Sequence, residues 1–197
     1  MARDLYLPML QIPPRSELRQ RPLETPRLWL LPLELSDALD LWRSVESCRA
    51  YLEPWLPWVP FQTAPEASQH YAELSVNDWD QGRAVRFVVR EKPSRRFLGV
   101  VSVENLHHLN LSGELGYWLR KDATGRGLMT EAAGSVVRWS FQTLGAHRLR
   151  VAAATDNHAS LGVIGRLGFR FEGIAREAEL VAGRWLDHAI FARLSGD

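Results

Sequence analysis

The stretch KDATGRGLMTEAA (residues 121–133) sets two glycines, Gly125 and Gly127, around Arg126 and then runs into apolar residues at helical spacing. From Met129 through Ala132, Ala133, Val136 and Val137 to Leu144, these residues recur at intervals of three and four. That is one face of a long helix, which Gly145 ends. Before the glycines, GELGYWLR (113–120) has strand character. A strand that passes through a glycine turn into a helix N-terminus is a physically sound anion site. The first amides of the helix have no intrahelical partner, the helix dipole adds positive potential, and glycine lets the backbone come close to a ligand.

Two nucleotide fingerprints do not fit this turn. A P-loop ends in Gly-Lys-Ser/Thr, and here Gly127 is followed by Leu128 and Met129. The dinucleotide motif needs a third glycine, where GRGLMT places Thr130. The neighbouring strands also arrive in succession, as antiparallel strands do, rather than as strand–helix–strand repeats.

Outward from this point, the chain reads strand (27–35), helix capped by Ser36, helix (66–80), three strands (83–91, 96–106, 113–120) and the long helix. A strand (147–155), a short helix (157–167) stopped by Gly168, and two final strands (169–180, 184–194) follow. The segment YLEPWLPWVPFQTAPEAS (51–68), with four prolines, cannot be one regular element. Residues 1–22, rich in Pro and Arg, read as an N-terminal arm, and 23–197 as one domain. Leu5, Tyr6, Leu7, Met9 and Leu10 make the arm apolar, which raises the expectation of a homodimer; a free tail accounts for them equally well.

Bulk properties exclude several classes. A net charge of +1, from 24 basic and 23 acidic residues, gives no overall attraction to nucleic acid or an anionic membrane. No apolar run reaches the roughly 20 residues of a membrane span, and the N-terminus is too interrupted for a signal peptide. The single Cys48 forbids an internal disulfide, points to a reducing compartment such as the cytoplasm, and reads as a small buried residue. The six histidines lack the spacing of a zinc site, so no metal is expected.

GYWL (116–119), GLMTEA (127–132), DNHAS (156–160), RLGFRFEG (166–173), REAELVAGRWLDHAIF (176–191) and ETPRLWLLPL (24–33) together resemble the GNAT acetyltransferases of the RimJ/RimL type, which acetylate ribosomal proteins. The likeness runs in order from about 24 to 194. It implies an α/β (α+β) GNAT fold, a twisted mixed, mainly antiparallel sheet splayed at its centre and flanked by helices. It also implies acetyl-CoA as co-substrate, with the pyrophosphate on Thr124, Gly125, Arg126, Gly127, Leu128 and Met129, and the pantetheine arm along the backbone of Tyr117, Trp118 and Leu119. Thr124 stands where Gln or Arg is usual and Met129 where a small residue is usual; contacts made by backbone amides would tolerate both.

The same resemblance implies roles for individual side chains. Asn157 would touch the cofactor, a role compatible with capping the following helix. Ser160 would protonate the leaving thiolate, and Glu179 would take the proton of the attacking amine. Glu114, on the strand before the turn, is the other base candidate. An ordinary surface charge explains either glutamate too. If 176–180 is a regular strand, Glu177 and Glu179 share a face and raise one another's affinity for protons. Trp55, Trp58 and Phe61 are candidates to line the acceptor cleft, with core packing as the competing role. The acceptor implied is a protein N-terminal α-amine. Small amines (amino acids, polyamines, antibiotics or toxins) and a non-catalytic CoA-binding module are the alternatives.

Overall fold

The structure, a computed structural model, describes residues 9–197. Leu5, Tyr6 and Leu7, on which the dimer expectation partly rests, lie outside the described residues. Helix α1 (Arg15–Gln20), strand β1 (Leu23–Glu24) and strand β2 (Leu28–Pro32) open the described chain. Part of the expected arm is therefore helical and packed on the domain: Leu10 and Leu18 are buried, and Met9 is exposed. Arg15 reaches both Asp80 and Glu34, and Trp79 donates its indole N–H to the Pro13 carbonyl at 2.9 Å. The signal was hard to see because two prolines precede a helix of only six residues.

Helices α2 (Ala38–Glu46), α3 (Arg49–Leu52) and α4 (Pro65–Asp80) follow, with irregular turns between α3 and α4. The helix expected to begin at Asp37, after Ser36, begins one residue later at Ala38. Ser36 sits in a tight 3₁₀ turn, where Asp37 Oδ2 accepts the Glu34 N–H at 3.0 Å. Strands β3 (Val85–Glu91), β4 (Phe97–His107) and β5 (Ser112–Leu119) lead to helix α5 (Leu128–Gln142). Strand β6 (Arg148–Ala154), helix α6 (His158–Arg166) and the hairpin of β7 (Arg170–Val181) and β8 (Arg184–Leu194) complete the chain. Ala182 and Gly183, both at positive φ, make the hairpin turn.

Among the described residues, eight strands form one sheet in the order β1-β2-β3-β4-β5-β6-β8-β7. Every pairing is antiparallel except β5 with β6, which holds only for Ser112, Gly113 and Glu114 against Arg148, Leu149 and Arg150. Beyond Glu114 the two central strands part, each still paired on its outer side. Antiparallel strands alternate in which residues exchange hydrogen bonds. Since Arg120 N–H donates to the Leu98 carbonyl at 2.8 Å, the alternation turns the backbone groups of Leu115, Tyr117 and Leu119 toward the open split.

Strand alternation sends side chains to two cores. On one face Phe87, Val101 and Leu119 pack against Ala132, Val136 and Trp139 of α5. Phe87 meets Trp79 and Trp139 edge-on, at 5.2 Å each. On the other face Val88, Val100 and Trp118 pack against Leu41 and Val45 of α2, Leu52 of α3 and Ala72 of α4. Cys48 is half-buried on this second core, its thiol on the Ser44 carbonyl. The site lies where the split connects the two faces.

Candidate active site

A cleft of about 450 Å³ runs through the split. Its floor on the α5 side is made by Tyr117 and Leu119 of β5, Gly125 and Gly127 of the turn, and Asn157 and Ser160 of α6. Thr124, Leu128, Met129 and Trp118 also line it, so ten of the eleven residues expected at the cofactor converge on one space. The exception is Arg126, whose side chain pairs with Glu91 at 3.1 Å. The other wall comes from Tyr51 and Leu52 of α3 and from Trp55 and Leu56 just after it.

Local sequence explains the turn. Gly125 and Gly127 have φ of +74° and +73°, a region where a side chain is strained, and Gly127 is the residue before the first turn of α5. No side chain caps that helix end. The first intrahelical bond is from Glu131 N–H to the Gly127 carbonyl, so the amides of Leu128, Met129 and Thr130 have no helical acceptor to find. A 15-residue helix thus points an uncapped N-terminus at the cleft. The 3₁₀ turn before it (Lys121–Ala123) is anchored by Asp122, which both Arg120 and Arg96 contact; hydrogen bonding from Arg120, then from Arg96, pulls its carboxyl down to about 2.

Ser160 is fixed twice. Its N–H donates to Asn157 Oδ1 at 3.1 Å, which makes Asn157 the cap of α6, and its hydroxyl lies 2.9 Å from the Tyr117 hydroxyl. Burial pushes the Tyr117 phenol up to about 12, against the opposing effect of the Ser160 hydrogen bond, so Tyr117 carries its proton at neutral pH. The sequence offered Tyr117 only as backbone; its hydroxyl is a proton donor beside Ser160 that residue spacing along a strand could not reveal. Arg166, at the end of α6, is a further cleft-lining group that sequence reading missed; it donates to Thr130 Oγ1 at 3.3 Å.

On the second wall, Trp55 packs on Ala154, Val181 and Leu186, joining α3 to the β7–β8 hairpin. Glu179 lies on that hairpin opposite Leu186, with its Oε2 3.5 Å from His188 Nε2, and neither of the two is among the cleft-lining residues. The expected pairing of Glu177 with Glu179 on a regular strand does not occur. Between Ala175 and Glu179 the strand has two residues more than its partner, Glu177 takes φ of +48°, and its N–H turns to Asp187 Oδ1 at 2.7 Å. Glu114 sits at the closed end of the split in an ion pair with Arg150 at 3.0 Å, and is not among the cleft-lining residues. Trp58 packs on Trp118 behind the wall, and Phe61 is 77% exposed away from the cleft.

A sheet split between two strands, with an uncapped helix and a glycine turn at one end, matches a known family. The model of the GNAT acetyltransferase domain matches residues 27–170. The chain belongs to the GNAT acetyltransferases. It is 30% identical over 186 residues to the ribosomal protein uS5-alanine N-acetyltransferase of Escherichia coli, a match covering 93% of this chain and 95% of that one. The ribosomal-protein-S5-alanine acetyltransferase of Vibrio fischeri superposes with a TM-score of 0.83 at 27% identity, over 88% of this chain and 96% of the other. RimJ of Mycobacterium smegmatis, solved with CoA-disulfide, gives 0.81 at 26% identity, over 86% and 82%. The GNAT fold and the N-acetyltransferase class expected from the sequence therefore hold for this chain.

Proposed function

We propose that this acetyltransferase moves the acetyl group of acetyl-CoA to the N-terminal α-amine of a protein, with a ribosomal protein as the acceptor and the cytoplasm as the compartment. The observation that carries the reading is the cleft itself. It is continuous from the glycine turn, through the split, to Trp55, so donor and acceptor meet in one ternary complex from opposite faces of the sheet. Similarity to uS5-alanine N-acetyltransferase over nearly the whole chain supports the acceptor class.

The residues fit the donor. The free amides after Gly127 and the charge of Arg166 suit the phosphates, and the outward backbone of Leu115, Tyr117 and Leu119 suits the amide-bearing pantetheine arm. An N-terminal amine, of pKa about 8, must lose a proton before it attacks. Glu179, with His188 beside it, receives that proton directly or through a water. The bond to sulfur then breaks, and the Tyr117–Ser160 hydroxyl pair supplies a proton to the departing thiolate. Trp55 forms the apolar wall against the first acceptor residue.

Turnover of acetyl-CoA against peptides with free Ala or Ser N-termini, the same peptides blocked at the N-terminus but carrying lysine, and a panel of amino acids, spermidine and aminoglycosides tests this reading. Acetylation of the free N-termini alone is expected. Preference for a small amine overturns the acceptor assignment, and absence of acetyl-CoA binding overturns the donor assignment as well.

A further inference from the structure

The turn that faces the cleft is held from outside by residues about a hundred positions away. Glu131, in the first turn of α5, accepts the Thr25 hydroxyl at 2.6 Å and the Arg27 backbone N–H at 2.9 Å through Oε1. Its Oε2 accepts Arg27 Nε–H at 2.6 Å. The same guanidinium then donates from Nη1 to the Arg126 carbonyl at 2.9 Å, and its Nη2 lies 3.8 Å from where a side chain on Gly127 would begin. Thr25 is itself fixed, since its hydroxyl accepts the Leu28 N–H at 2.9 Å. The Thr25 hydroxyl and the Arg27 backbone N–H fix the carboxylate. Arg27 Nε and Nη2, both 2.6 Å from Oε2, hold the planar guanidinium to it, and that group holds one peptide.

A carboxylate one turn from an anion site is a liability on charge alone. What offsets it here is geometry. In a planar trans peptide the C=O and N–H point in opposite directions. Arg27 is not a cleft-lining residue, whereas Gly127 is. Drawing the Arg126 carbonyl toward Arg27 therefore swings the Gly127 N–H toward the cleft. We propose that Arg27, locked in place by Glu131 and Thr25, is a positioning residue that sets the Arg126–Gly127 peptide so that the Gly127 amide meets the pyrophosphate of acetyl-CoA. The inference rests on the donor reading above. Lysine cannot replace the fork, because a single ammonium does not reach Glu131 and the Arg126 carbonyl in the same planar geometry.

The test is CoA affinity by calorimetry, together with the Gly127 amide signal by NMR, in the full chain. Charge alone predicts that Glu131→Gln, which deletes a negative charge beside the phosphates, tightens CoA binding. Positioning predicts that it weakens binding, by about tenfold for the loss of charge-assisted bonds, and that the Gly127 amide no longer shifts when CoA is added. Arg27→Met and Arg27→Lys are expected to fall together, while the KM of the acceptor stays put. Tighter binding in Glu131→Gln, or wild-type affinity restored by Arg27→Lys, overturns the proposal. If an Arg27 variant does not fold, the sign of the Glu131→Gln effect decides alone. Failure of the unaltered chain to bind CoA defeats the donor reading instead, so the two failures are told apart.

Discussion

The two walls of the cleft are built by different means. The donor wall, from Leu115 through the glycine turn to Ser160, presents mostly backbone: turned-out strand amides, a helix N-terminus and two glycines at positive φ. Ion pairs outside the cleft, Arg27 with Glu131 and Asp122 with Arg96 and Arg120, hold that backbone still. The opposite wall, the one proposed to receive the acceptor, presents side chains: Tyr51 of α3, with Trp55 and Leu56 just after it. Trp55 packs on the bulged hairpin that carries Glu179 and His188. A wall of amides tolerates changed side chains, which accounts for the unusual Thr124 and Met129 lying in the cleft without blocking the turn. A wall of side chains does not, and on the proposed reading acceptor choice resides there.

If the walls are separable, a change in one leaves the partner of the other alone. Glu179→Gln tests the acceptor wall and carries the largest effect. Losing a general base lowers kcat by about 10²–10⁴-fold at neutral pH, while CoA affinity stays at the wild-type value. A parallel loss of CoA affinity would join the walls into one unit and break the comparison. Gly127→Val tests the donor wall from the other direction. A β-branched residue at φ +73° is strained, and its side chain would begin 3.8 Å from Arg27 Nη2, against the group that sets the turn. CoA affinity is expected to fall roughly a hundredfold, with the KM of the acceptor unmoved.

The same division governs what the sequence revealed. The turn, the α5 face, the capping of α6 by Asn157 and the succession of strands were legible because each depends on residues within one or two turns of chain. Glycine spacing, an Asx cap and three-four periodicity are local signals. The Tyr117–Ser160 hydroxyl pair spans 43 residues and the Arg27–Glu131 lock spans 104, and no local pattern encodes either. The acceptor wall was harder still. Strand alternation placed Glu177 beside Glu179, but the two extra residues of β7 break the alternation, and nothing in REAEL marks them. Phe61, read with Trp55 and Trp58 as one aromatic group, separates from them: it faces solvent, while Trp55 lines the cleft and Trp58 packs on Trp118.

The hydroxyl pair sharpens the comparison, because Tyr117 belongs to the donor wall by backbone and to the chemistry by side chain. Ser160→Ala removes the hydroxyl proposed to protonate the thiolate, and Tyr117→Phe removes the hydroxyl 2.9 Å from it. A thiolate leaves readily, so each variant is expected to lower kcat by only about tenfold, and the double variant by little more than either. Independent, multiplying losses measured in steady-state turnover would mean that the hydroxyls do not act as a pair.

The smallest effect concerns what holds the donor wall still as pH falls. Asp122 titrates at about 2, pulled down by the hydrogen bond from Arg120 and then by Arg96, and Glu131 lies below the usual range because hydrogen bonds from Thr25 and Arg27 outweigh its burial. A carboxyl depressed in the folded state adds stability that is fully present above its unfolded value. That stability is lost as pH falls through the folded value. For Asp122 the window is from the unfolded 3.8 down to about 2, and for Glu131 it begins near 4.5. The Tm of the wild type should therefore drop below pH 4.5, more steeply than that of Asp122→Asn or Glu131→Gln, with all three curves parallel between pH 5 and 7. Asp122 is half exposed, so solvent screens the pair and the difference is expected to be a few degrees. Equal slopes below pH 4.5 would show that these ion pairs decorate the turn without securing it, and the donor wall would then owe its geometry to the glycines and α5 alone.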